Sequence, residues 1–263
     1  LSELLLALEG WTQVLAAAVE GEHAKVPKMH RSPLGEIAFW RQRCSSLSAL
    51  YEQLNMPRVQ NILLALQQHD VPLLSTFVYH FGELSKLYLE ARDNMKFLTT
   101  LERNFKHLKD GSLETIIESL PTMVNGLRMV WVISRHYNTD ERMAPLMENI
   151  AESISKRVKD EIKLSRILSI EYPVARQLIV EAKTVLEQWS EQYFKIRKRI
   201  EESGSDHRWE FDRKALFGKT DYIAEVCGDF LEIVDALYRF QKFLGPELRT
   251  VTEDSDGVDE VLR

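Results

Sequence analysis

The chain has 263 residues, 44% hydrophobic and 28% charged, with a net charge of −6, so it can bury a substantial core in one globule or in two or three bundles. The acidic balance, without a one-sided basic excess, argues against a dedicated nucleic-acid binder, whose affinity rests on Lys and Arg against phosphate. Two cysteines, Cys44 and Cys227, lack metal-ligand spacing and fit a reducing, intracellular setting; no apolar run reaches bilayer-crossing length, and "LSELLLALEGW" carries acids where a signal peptide carries basic residues.

Helical periodicity runs along nearly the whole chain, and only 11 Gly and 8 Pro punctuate it, so the fold class expected is all-α, an elongated series of packed helical bundles. Residues 1–31 read as an N-terminal helix and linker. Ser32-Pro33 then supplies an N-cap followed by proline at the first helical position, opening a helix that breaks at Asn55-Met56-Pro57. From Pro72 to Leu108 only Gly82 weakens the pattern, which predicts one rod-like helix reaching about 50 Å at 1.5 Å per residue. Asn138, with Glu141 three residues on, reads as a capping box for the next helix.

Further along, Leu178, Ala182, Val185, Leu186, Trp189, Tyr193, Ile196 and Ile200 form an apolar stripe that ends at "EESGSD", a Gly/Ser turn. A second stripe, Ile223, Val226, Cys227, Phe230, Ile233, Val234, Leu237, Phe240 and Leu244, must pack on other helices, and the two make an antiparallel pair. Bundles are therefore expected over 32–244. Residues 245–263, "GPELRTVTEDSDGVDEVLR", are acidic and turn-rich and read as a connector. Leu1 in place of methionine and the untailed end at "DEVLR" predict an excerpt of something longer.

The stretch "RKALFGKTDY" raises the possibility of nucleotide chemistry and does not support it. Gly218-Lys219-Thr220 matches the close of a phosphate-cradling loop, but Arg213 stands where that loop needs a glycine, and the flanking sequence has helical spacing rather than a buried strand. The seven histidines show no metal-binding spacing, and His80, among aromatic residues in "FVYHFGEL", reads as a structural imidazole. Carboxylates are interleaved with Lys and Arg, and "KIRKRIEE" reads as a solvated helix face. No residue is assigned to catalysis, to a cofactor or to a metal. Trp131 and Trp189 fall on apolar stripes and read as core. Trp209, in a break, either pins one helix pair to the next or contacts a partner, and spacing does not separate the two.

The blocks "GEIAFWRQRCSSLSALYEQLN", "EARDNMKFLTTLERNFKHL", "LPTMVNGLRMVWVISRHYNTDERM", "LEQWSEQYFKIRKRIEESG" and "RWEFDRKALFGKTDYIAEVCGDFLEI" resemble, in this order, the N-terminal tail of dynein heavy chains. "SRHYNTDERM" and the last segment look more like axonemal chains, of an outer-arm-like kind. The resemblance implies a non-catalytic stem segment, with ATP and magnesium confined to a motor ring elsewhere in the heavy chain. It also implies, as partners, other dynein heavy chains, intermediate chains and light chains, and a docking complex or the doublet microtubule of a cilium or flagellum, with no nucleic acid and no direct membrane contact. The alternatives are a cytoplasmic or intraflagellar-transport dynein tail carrying cargo and, from another class, an all-α enzyme.

Overall fold

The computed structural model describes residues 2–24, 32–69, 71–204 and 208–244; part of the expected N-terminal linker and the whole 245–263 connector lie outside these. The described residues form ten α-helices and no strand, the all-α class that the periodicity predicts. They divide into two compact units, Leu1–Thr100 with Ser134–Tyr137, and Leu101–Ile133 with Asn138–Arg263.

The first unit holds α1 (Ser2–Ala24), α2 (Pro33–Leu54), α3 (Pro57–Gln67) and α4 (Leu73–Thr99). The Ser32 side chain accepts the Gly35 N–H at 3.1 Å, so this helix start is capped as expected. α1 and α2 both pack on α4, burying Leu8 and Leu15, Ile37 and Leu47, and Phe77, Leu84 and Leu98. The rings of Tyr51 and Tyr88 stack at 4.4 Å across the α2–α4 seam. The indole N–H of buried Trp40 is shared between Glu36 Oε1 at 2.8 Å and the Tyr137 hydroxyl at 3.0 Å. That hydroxyl donates to the same carboxylate at 2.5 Å. Ser134 Oγ accepts the N–H groups of His136 and Tyr137, shaping the short segment that delivers the tyrosine.

The rod expected from Pro72 to Leu108 is two helices. α4 stops at Thr99, and α5 (Glu102–Asp110) belongs to the second unit. The Thr99 and Thr100 hydroxyls turn back onto the Met95 and Phe97 carbonyls at 2.6 Å, and the Thr100 N–H closes a tight turn onto Phe97 O. Two adjacent β-branched hydroxyl residues compete with the helix ladder here. The capping box also differs: the next helix begins at Asp140 with Thr139 at the cap position and no side-chain cap bond.

The second unit continues with α6 (Leu113–Ile133), α7 (Asp140–Glu161), α8 (Leu164–Ser169), α9 (Tyr172–Glu202) and α10 (Arg213–Leu244). α9 is central, packed by α6, α7 and α10. Its seam is the expected stripe with two changes, Ile179 buried in place of Leu178 and Ala175 added ahead of it. α9 ends at Glu202, and Gly204 then takes φ +66, a value glycine adopts without steric cost. At the α5 terminus the Arg157 guanidinium holds the Gly111 carbonyl by two bonds of 3.1 and 2.9 Å. Although no uninterrupted apolar run of membrane-crossing length was expected, α1 and α6 are long and apolar enough to cross a membrane by length and composition alone. α6 nonetheless spends its apolar face inside the unit, burying eight side chains from Leu113 to Trp131.

Candidate interaction surface

The Gly-Lys-Thr sequence lies within the first three turns of α10. Lys219 Nζ is bound to the Glu152 carboxylate of α7, with 2.7 Å to Oε1. Thr220 is fully buried, its hydroxyl donating to Phe217 O at 2.9 Å. Thr220 is engaged in helix packing and Lys219 in a surface ion pair, and the backbone N–H groups here belong to a helix interior rather than to a loop. The described residues hold no group of three or more His, Cys, Asp or Glu placed to bind a metal ion. His30 and His207 fall outside the described residues. His80 is half-buried with its ring edge-on to Tyr79 at 5.3 Å. On the basic cluster Arg197 pairs with Glu201 at 2.8 Å and Glu210 at 3.3 Å, a salt-bridged solvent face.

The aromatic residues of the second unit converge. Trp131, Trp209 and Phe211 pack edge to face at centroid distances of 5.2 to 6.2 Å. Tyr193 joins them, its hydroxyl accepting the Phe211 N–H at 3.1 Å. Trp209 is 2% exposed, so the break residue is a pin inside the unit rather than a presented anchor. The indole nitrogens of Trp131 and Trp209 have no hydrogen-bond partner, a local cost that the ring packing offsets. Burial pushes the Tyr193 hydroxyl upward in pKa.

What remains presented is apolar. α9 and α10 are antiparallel: Tyr193 meets Phe217 with ring centroids at 5.1 Å, and Tyr172, the first residue of α9, stacks on Tyr238 at 3.9 Å. α10 therefore outlasts α9 by the six residues after Tyr238, about 9 Å of helix. The apolar side chains that stay exposed lie on a different side of α10 from those it buries. Ile223, Cys227 and Val234 are buried, whereas Ile233 and Phe240 of the expected stripe are exposed, and Phe243 is 85% exposed. The expectation that this whole stripe packs within the chain thus holds at Ile223, Cys227 and Val234 and not at Ile233 or Phe240; the side chain of Leu244 lies outside the described residues. Tyr172 also donates to Asp235 Oδ1 at 2.9 Å, and this bond to a carboxylate, with burial adding to it, raises its pKa. Arg176 reaches the same carboxylate at 3.4 Å. The result is a ledge of exposed aromatic side chains on a helix fixed at its base by a ring stack and an ion pair, the kind of anchor surface that protein interfaces use. Sequence reasoning missed Tyr172, Tyr238 and Phe243. The available signal was Pro173, which marks where α9 begins and hence where α10 loses its cover.

A family model described as dynein heavy chain, N-terminal region 1, matches residues 1–263. The chain is 46% identical over 267 residues to the dynein-1-alpha heavy chain of the flagellar inner arm I1 complex of Chlamydomonas reinhardtii, an overlap of 99% of this chain and 6% of that protein. It is 43% identical over 253 residues to human dynein axonemal heavy chain 10, covering 96% of this chain and 6% of the relative. Identity to the Chlamydomonas dynein beta chain of the flagellar outer arm is 22% over 240 residues, 90% of this chain and 5% of that one. The chain thus spans about a seventeenth of the length of the first two relatives, and its identity to the inner-arm chain is about twice that to the outer-arm chain.

Proposed function

This chain belongs to the dynein heavy chain N-terminal region 1 family, and on that premise we propose that it is a non-catalytic stem segment of an axonemal dynein heavy chain. In this reading it scaffolds association with other heavy chains and with intermediate and light chains. It also helps to anchor the motor, through a docking complex or directly, to the doublet microtubule of a cilium or flagellum. ATP and magnesium belong to the motor ring elsewhere in the heavy chain, and the segment takes no cofactor, no nucleic acid and no membrane.

The single observation that carries this reading is the α10 ledge. Ile233, Phe240 and Phe243 stand exposed on α10 on a different side from the face that Ile223, Cys227 and Val234 bury, and this outward apolar group has the chemistry of a packing surface rather than of a cleft. Close-packed helices such as α9 and α10 also deform little, which suits a part that must pass force along its length.

The test is a heavy chain carrying Phe240→Ser and Phe243→Ser in ciliated cells. Incorporation into axonemes and co-purification of intermediate and light chains fall several-fold, while the ATPase rate of the purified heavy chain is retained. A variant that incorporates normally but loses ATPase activity defeats the reading.

A further inference from the structure

α1 is apolar on two sides, and the described residues cover only one of them. Its inner side packs on α4 through Leu8, Leu15 and Val19. Its outer side carries Leu6, Gly10, Val14, Ala17 and Gly21 at steps of four, four, three and four, which places them along one stripe. Leu6 is 72% and Val14 55% exposed. A surface helix of this kind normally turns charged residues outward, and a helix apolar on both faces has a second neighbour. The two glycines agree with this. A Cβ at Gly10 or at Gly21 meets nothing within 4 Å, so no contact among the described residues requires glycine at either position. Glycine inside a helix is less favourable than alanine, and its absent side chain lets another backbone approach closely.

The charge pattern decides what covers the stripe. The charged side chains beside it, Glu3, Glu9 and Glu20, are all acidic, and α1 contains no Lys or Arg, its one basic residue being His23 in the last turn. A second copy of the same face would set acid against acid in either orientation, and an anionic membrane surface would be repelled. We infer that the outer face of α1 docks an amphipathic helix of a partner subunit, presenting small and aliphatic side chains to Leu6, Gly10, Val14, Ala17 and Gly21 and flanking Lys or Arg to Glu3, Glu9 and Glu20. The inference rests on the scaffold reading and adds to it a second surface, separate from the α10 ledge.

The test places the photo-crosslinking residue p-benzoylphenylalanine at position 17 of the heavy chain in the assembled dynein, irradiates, and sequences the adduct by mass spectrometry. The expected adduct is a helical segment of another subunit with apolar residues three and four apart and at least two flanking Lys or Arg. Its yield falls at least tenfold with Leu6→Gln plus Val14→Gln, and likewise with Gly10→Leu, while the melting of each variant matches the parent. An adduct to residue 17 or its neighbours in a second copy overturns the inference, as does an adduct to lipid, to an acidic segment, or none at all. If the adduct is absent while Phe240→Ser with Phe243→Ser still blocks axonemal incorporation, this inference fails and the scaffold reading stands.

Discussion

The indole N–H of Trp189 donates to the main-chain oxygen of Leu216 at 3.3 Å, which joins the middle of α9 to the first turn of α10 inside the second unit. Trp189 has no exposed surface and its ring lies 6.4 Å from that of Phe217. Trp189→Ala removes both the transfer energy and the packing of a large ring, and is expected to cost about 3–5 kcal/mol in denaturant unfolding. Trp189→Phe, which keeps most of the volume, costs less. A Trp189→Ala chain that unfolds at the parent midpoint but no longer binds a partner subunit would identify the residue as an interface anchor instead.

Lys219 is the residue on which any nucleotide reading of this chain depends, and it is committed to Glu152. The two side chains are 46% and 58% exposed, so their ion pair contributes at most about 1 kcal/mol. Lys219→Ala is therefore expected to leave the melting temperature nearly unchanged. Isothermal titration of ATP with magnesium is expected to give no micromolar binding for parent or variant. Binding in the parent that disappears in Lys219→Ala would restore the nucleotide hypothesis.

The helical class, the cap at Ser32, the break at Asn55 to Pro57 and the antiparallel pairing of α9 with α10 were all legible in the sequence, because each is encoded by local spacing or by one cap residue. What was not legible depends on contacts between distant residues. The end of α4 is marked by two threonine hydroxyls that turn back onto the carbonyls of its last turn, and helix propensity alone does not register that. The α10 ledge was invisible for the same reason, since apolar spacing shows which side chains share a face but not which part of that face a neighbouring helix covers. Trp209 shows the limit from the other side: its position in a break left pin and anchor open, and only the ring contacts with Trp131 and Phe211 decide it.

Gly126 of α6 faces Leu101. A Cβ at position 126 would stand 2.4 Å from Leu101 Cδ2, and Leu101 is only 2% exposed, so it has little room to withdraw. Gly126→Ala is expected to destabilise the second unit by about 1–3 kcal/mol through overpacking, in spite of the better helix propensity of alanine. Adding Leu101→Ala should recover part of that loss, and a double-mutant cycle in urea measures the coupling. Simple additivity of the two substitutions would show that the contact is not the cause.

Cys227 is fully buried on α10, and burial pushes its thiol up from 9.0 to about 11. The unfolded chain ionises this group first, so below about pH 9 both states hold the proton and stability is unaffected. Between about 9 and 11 the unfolded state releases it while the folded state cannot, and stability falls with rising pH. The raised Tyr172 and Tyr193 hydroxyls act in the same direction. Urea midpoints measured from pH 7 to pH 10.5 are expected to decline above about 9, less steeply in Cys227→Ala. A decline of equal slope in that variant would assign the effect to the tyrosines alone.

Glu22 of α1 and Arg43 of α2 form an ion pair of 3.0 Å with side chains 5% and 10% exposed. The contact is short but lies off the hydrogen-bonding direction, so its strength is electrostatic in the main, and the guanidinium also lies 5.6 Å from the centre of the Trp40 ring. Two buried charges cost desolvation that their mutual attraction only about repays, whereas removing one leaves the other charged in a place water does not reach. Arg43→Met alone is therefore expected to cost about 3–5 kcal/mol, and Glu22→Leu together with Arg43→Met much less than the single change. Because the pair is shielded from solvent, the coupling should change little between 0.05 and 0.5 M salt in about the range where exposed pairs are screened. A coupling that vanishes at high salt would mean that water reaches the α1–α2 contact and that α1 is held to the first unit by α4 alone.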